Sequence, residues 1–212
     1  MIYLIGGPPK CGKTTLAKKL ATTHQIPWIS ADTLQNIVRA YTPKEKHAAL
    51  FPHSYLRGDS NDEFYAKYSL QQIVENYIVQ GETIYGAISM MAETYLTERD
   101  DFIVEGYQVT PKIVDVIFKK FGRRYVKAVF LVKYDQGRFI QDIHKSATPN
   151  DWILRKTENQ ATYKRIAKMV AEYSRYFEKE AEKYGFSIFN MDEDFNKQLH
   201  VIEAHLNSIS LR

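Results

Sequence analysis

Ile2-Tyr3-Leu4-Ile5-Gly6-Gly7-Pro8-Pro9-Lys10-Cys11-Gly12-Lys13-Thr14-Thr15 decides how this chain folds. The apolar run Ile2 to Ile5 has the length and character of a buried strand. Gly7 to Thr14 spell G-x-x-x-x-G-K-T, and Leu16-Ala17-Lys18-Lys19-Leu20-Ala21 continues at helical spacing. Strand, glycine loop and helix in that order are what a phosphate-binding loop needs. Gly7 and Gly12 let the backbone turn to positive φ and approach a polyphosphate without a Cβ in the way. Successive N–H groups then point at the anion, and the helix that follows presents its positive end to it. The pattern assigns Gly7, Pro8, Pro9, Lys10, Cys11, Gly12, Lys13, Thr14 and Thr15 to a nucleoside triphosphate. Lys13 reaches the β- and γ-phosphates, and the Thr14 hydroxyl ligates Mg²⁺.

Working outward, helices alternate with short apolar runs. Strands are expected at 26–30, 102–106, 125–132 and 186–190, in addition to the first. The first helix runs to about Thr23, and a second over 32–39 carries its cap at residue 30 or 32. Between 41 and 80 there is no strand signal. Thr42-Pro43 opens a short helix to about Phe51, a loop covers 52–61, and a long helix spans 62–79 with Gly81 as its end. A further helix covers 83–96. Thr110-Pro111 starts one that Gly122 ends, and long helices follow at 159–183 and 194–208. Alternation of this kind predicts an α/β fold with a five-stranded parallel sheet between helical layers. A helical insertion at about 41–99 and a polar, basic segment at about 133–156, broken at 147–151, complete one domain over 1–212.

Composition narrows the function. With 44% hydrophobic and 25% charged residues the chain is an ordinary globular protein. Its formal charge of +4 includes no block of five like charges, so no nucleic-acid surface is expected. No apolar run reaches the length of a membrane span, and the first one is too short for a signal peptide. Cys11 is the only cysteine, which excludes an internal disulfide and points to a reducing, cytoplasmic setting. Inside the loop it reads as a small packing residue. Tyrosines 55, 65, 68, 77, 85 and 95 read mainly as packed rings with wet hydroxyls.

Two carboxylates follow strands on the side of the glycine loop, Asp32 and Glu105. Phosphoryl transfer needs Mg²⁺ near the β- and γ-oxygens and a group to orient or deprotonate the acceptor. Asp32 is placed on the acceptor side, as base or anchor. Glu105 closes a hydrophobic strand and is assigned to Mg²⁺ or to the acceptor; the two roles are exchangeable. Arg138 and Arg155, in the basic segment, are candidates to cover the γ-phosphate, since a planar guanidinium never loses its charge. Arg39 and Arg57 are candidates for an anionic group on a small acceptor. A nucleotide-switched regulatory module is the competing class. It would carry Asn-Lys-x-Asp, and the nearest match, Asn196-Lys197-Gln198-Leu199, lacks the aspartate.

These residues resemble the small P-loop metabolite kinases. Glu105-Gly106-Tyr107-Gln108-Val109-Thr110-Pro111 is similar to the E-G-V-H-L-V-P stretch of 2-phosphoglycerate kinases. Residues 31–39 resemble the segment after their second strand, and Arg138-Phe139 their lid arginine. Zeta-toxin-type sugar-nucleotide kinases share, more loosely, the aspartate after the second strand and the lid arginines. The resemblance covers roughly 1–40 and 100–140. It implies a nucleotide-kinase-like P-loop NTPase fold, ATP and Mg²⁺ as cofactors, and transfer of the γ-phosphate to a small molecule. A nucleoside monophosphate kinase is a close variant.

Overall fold

Five strands form the centre: β1 (Ile2–Gly6), β2 (Trp28–Ser30), β3 (Phe102–Glu105), β4 (Val126–Val132) and β5 (Ile188–Asn190). A computed structural model describes residues 1–145 and 151–208 of the chain. All strands run parallel in the order β2-β3-β1-β4-β5. Every residue of β3 and β4 is buried, as in a sheet covered on both faces, so the expected three-layer α/β architecture is present. Register sets the site. Ile5 pairs with Glu105, and Ser30 pairs with Glu105 from the other side, so the ends of β1, β2 and β3 arrive together.

The helices are α1 (Lys13–His24), α2 (Ala31–Ala40), α3 (His47–Leu50), α4 (Pro52–Leu56), α5 (Asn61–Lys67), α6 (Leu70–Thr83), α7 (Tyr85–Glu98), α8 (Pro111–Phe121), α9 (Gln136–Lys145), α10 (Trp152–Lys156), α11 (Gln160–Tyr184) and α12 (Phe195–Ser208). Several follow their sequence signals. Thr110 caps α8 with Pro111 in its first turn, Asn159 caps α11, and Gly185 closes α11 at a φ of 68°. Ile166, Val170, Tyr173 and Phe177 put one apolar stripe of α11 against β4, α6 and α8.

Between β2 and β3 the details differ from expectation. The helix expected at 62–79 is two helices, because Ser69 forms a capping box with Gln72 and starts α6 afresh. Gly81 does not end α6, which runs on to Thr83. Its missing side chain lets the helix pack on the Gln108 backbone, where a Cβ would lie 3.3 Å from Gln108 Cα. The expected loop at 52–61 contains α4, begun by Pro52 in its first turn. The segment before it is a 3-10 turn at Lys44–Lys46 followed by α3. Strands β2 and β5 start two residues later than their apolar runs. Residues 147–150 of the expected break lie outside the described residues; Asp151 caps α10. Tyr65 and Tyr77 are buried, whereas Tyr55 is exposed.

Candidate active site

The loop after β1 adopts the conformations its glycines permit. Gly7 has φ 135° and Gly12 φ 93°, with Lys10 between them at φ 63°. A Cβ on Gly7 would sit 2.1 Å from the Leu131 carbonyl oxygen, and one on Gly12 2.5 Å from the Phe195 ring. Cys11 is fully buried and its thiol is pushed up to about 12 by burial, which makes it a packing residue and a poor nucleophile. Lys13 is buried and donates to the Pro8 carbonyl at 2.6 Å. Lys10 reaches away from the loop to Asp151, at 2.5 Å.

Above the loop opens a cavity of about 920 Å³. Lys13, Thr14, Asp32, Glu105, Arg57 and Arg138 all line it. Arg39 and Arg155 are not among its lining residues, and Arg155 is exposed on α10. Thr14 Oγ1 donates to Glu105 Oε1 at 3.1 Å. Burial raises the Glu105 pKa, opposed by the Lys13 charge and the Thr14 hydrogen bond. A buried carboxylate that resists ionisation, beside a hydroxyl at a loop end, suits a cation in that place. Among the described residues no group of three or more His, Cys, Asp or Glu could enclose a metal, so any cation here would complete its shell with phosphate oxygens and water.

The raised Glu105 pKa carries a stability consequence. A carboxyl whose folded-state pKa lies above its unfolded value stabilises the fold fully below the unfolded pKa and loses that contribution as pH rises through the folded one. Glu105→Gln is therefore expected to raise the melting temperature of the ligand-free protein at pH 7. The gain is about 0.5–2 kcal/mol, the range for relieving a strained functional group. Melting curves at pH 7 and pH 4 check it, since the gain shrinks at the lower pH.

Asp32 stands in the first turn of α2, but Ser30 is the N-cap and accepts from the Asp32 backbone N–H at 3.3 Å. The Asp32 carboxylate is thus not consumed by capping. It accepts from Gln108 Nε2 at 2.7 Å. Next to it, with Ser54 Oγ 3.5 Å from Gln35 Nε2 of α2, lies α4, which contributes His53, Ser54 and the turn carrying Arg57. Arg57 lies 3.9 Å over the Trp152 ring, has no carboxylate partner among the described residues, and buries Nη2 without an acceptor. His53 stacks on Tyr77 at 3.7 Å, and burial, then the Arg57 charge, hold its pKa well below the usual histidine value. It is a neutral wall of the cavity.

Sequence reading missed several lining residues. Lys133 is buried at the end of β4 and pairs with Asp142 at 2.6 Å, while its backbone N–H and C=O both bond to the Ser174 hydroxyl on α11. Gln35, Gln80, Tyr107, His53 and Trp152 line the cavity too. Gln35 and Tyr107 fall in the 31–39 and 105–111 stretches but were given no role there, and Gln80, His53 and Trp152 sit in no motif. A lysine directly after the clearest strand was the one available signal.

Comparison with known proteins agrees with this architecture. No protein-family model matches the chain. An uncharacterized protein of Dictyostelium discoideum is 28% identical over 120 residues, which is 55% of this chain and 14% of that protein's length. A gluconokinase from Sinorhizobium meliloti 1021 superposes with a TM-score of 0.54 at 12% identity, covering 98% of this chain and 92% of that one. A shikimate kinase from Bacteroides thetaiotaomicron gives 0.53 at 15% identity, covering 98% of each. The fold is that of the P-loop kinases. At these identities the likeness to P-loop kinases extends to the fold alone. No helix among the described residues is long and apolar enough to cross a membrane.

Proposed function

We propose that the chain is an ATP-dependent phosphotransferase that moves the γ-phosphate to a hydroxyl of a small, anionic metabolite. One observation carries the reading: the glycine loop, the carboxylates of Asp32 and Glu105 and the Arg57 guanidinium, which has no carboxylate partner among the described residues, share a single cavity. The backbone N–H groups of Lys10 to Thr15 cradle the phosphates, Pro8 and Pro9 having none to offer, and Lys13 leaves the Pro8 carbonyl to meet the β- and γ-oxygens. Thr14 and Glu105 would hold Mg²⁺, which would supply charge neutralisation for the phosphate oxygens. Asp32 accepts the proton as the acceptor oxygen bonds to the γ-phosphorus. The bond from that phosphorus to the β-bridging oxygen breaks, and ADP leaves. Arg138, exposed at the start of α9, covers the transferring group, so that α9 and α10 act as the lid of one domain. Arg57 faces the anionic group of the acceptor; Arg39 and Arg155 have no place in this scheme.

The gluconokinase and shikimate kinase folds make sugar acids and cyclic hydroxy acids the first acceptors to try. The Glu105–Pro111 resemblance adds 2-phosphoglycerate, sugar nucleotides and nucleoside monophosphates. Transfer of radiolabelled γ-phosphate from Mg·ATP is the assay, preceded by calorimetry with Mg·ATP alone. Tight binding and transfer to one of these classes is the expected result. Absence of any affinity for a nucleoside triphosphate would falsify the reading.

A further inference from the structure

Beyond the residues that meet substrate, a ring of buried neutral side chains, closed where Gln35 Nε2 donates to Ser54 Oγ at 3.5 Å, ties Asp32 to the α4 wall. The Ser54 backbone N–H on α4 donates to Gln80 Oε1 at 2.8 Å. Gln80 Nε2 donates to the Tyr107 hydroxyl at 2.6 Å, and that hydroxyl donates to Gln35 Oε1 at 2.7 Å. Gln108 Nε2 donates both to Gln35 Oε1, at 3.0 Å, and to Asp32 Oδ1, at 2.7 Å. Gln35, Gln80, Tyr107 and Gln108 are all buried.

We infer that Gln108 is a positioning residue, holding the Asp32 carboxylate toward the acceptor hydroxyl, and that the amide ring carries this hold from the α4 wall. The inference rests on Asp32 being the group that receives the acceptor proton.

The orientation of Gln108 argues for it. An amide placed only to fill a core has both ends bonded. Here Nε2 makes two bonds while Oε1 is buried with none. Turning the amide over would set its oxygen against both the Asp32 carboxylate and the Gln35 oxygen, two acceptors. One end of the side chain is left unsatisfied so that the other can present a donor to Asp32.

Glycines clear the space for this arrangement. A Cβ on Gly106 would lie 2.5 Å from Gln108 Oε1 and 2.7 Å from Ala31 Cβ. Gly81 lets α6 approach the Gln108 backbone from the other side. The ring also takes no proton itself. Amides do not titrate, and burial raises the Tyr107 hydroxyl well above its ordinary range. It therefore orients Asp32 and leaves the proton there.

A double-mutant cycle tests this in the full chain, with radiolabelled Mg·ATP and water, gluconate and shikimate as parallel acceptors. Gln108→Met keeps the volume and removes the donor. It is expected to lower kcat about 30–100-fold, the scale of a misplaced catalytic group, with KM for ATP within about twofold. In an Asp32→Asn background the same change costs less than about threefold, because both changes remove one function. Undiminished kcat in Gln108→Met, or a loss that multiplies in full on Asp32→Asn, overturns the inference. If Gln108→Met does not fold by circular dichroism, Gln108→Leu, which also lacks the donor and adds no charge, runs the same cycle. Failure of the underlying reading looks different: Asp32→Asn itself would keep full turnover.

Discussion

Asp32→Asn is expected to lower acceptor-dependent phosphoryl transfer by about 10²–10⁴-fold, the usual worth of a positioned general base. The asparagine keeps shape and size but cannot receive a proton. Its amide can still meet Gln108 after turning, so the fold is expected to survive, which a melting curve checks. Binding of Mg·ATP, measured by calorimetry, should stay within about twofold, because the Asp32 carboxylate is held by Gln108 and not by a residue of the glycine loop. A loss of ATP affinity as large as the loss of rate would place Asp32 in nucleotide binding instead, and the acceptor assignment would fall.

Lys13→Ala is expected to be comparably severe and to act differently. The lysine is buried and holds only the Pro8 carbonyl in the ligand-free loop, at 2.6 Å. Its charge has no carboxylate within ion-pairing distance among the described residues, and the proposed reading has it meet phosphate oxygens. Removing a preorganised donor to developing charge costs about 10²–10³-fold in kcat. Unlike Asp32→Asn, this change should also weaken Mg·ATP binding, since in the proposed scheme the lysine meets the ground-state triphosphate too. Titrating both variants with Mg·ATP in parallel separates the two roles; equal affinities in both would contradict the assignment of Lys13.

What was legible in the sequence was legible for a local reason. The loop needs glycine at positions 7 and 12 because its backbone turns to positive φ there, and that demand is written in consecutive residues. Asp32 and Glu105 could be picked out because a parallel sheet brings the carboxyl ends of its strands to one edge. Gln35, Gln80 and Gln108 could not. Gln35 and Gln80 are ordinary helix residues, Gln108 sits in a turn before α8, and the bonds of their network span 26 to 76 positions, so only the packed chain puts them side by side. Arginines were assigned from charge, which says nothing of direction. Arg57 and Arg138 face the cavity, while Arg39 and Arg155 lie outside its lining. The split of the helix expected at 62–79 was missed because its apolar spacing continues through Ser69, although the Ser69–Gln72 capping signature was there to read.

The sealed thiol at Cys11 has a practical side. Alkylating reagents and dye maleimides should leave the folded wild-type chain unmarked, and no other sulfhydryl competes for them. A cysteine introduced on the outer surface of α9 or α10 would then accept a single fluorophore without altering the glycine loop. Its brightness or polarisation would follow any motion of those helices over the cavity while nucleotide is titrated in.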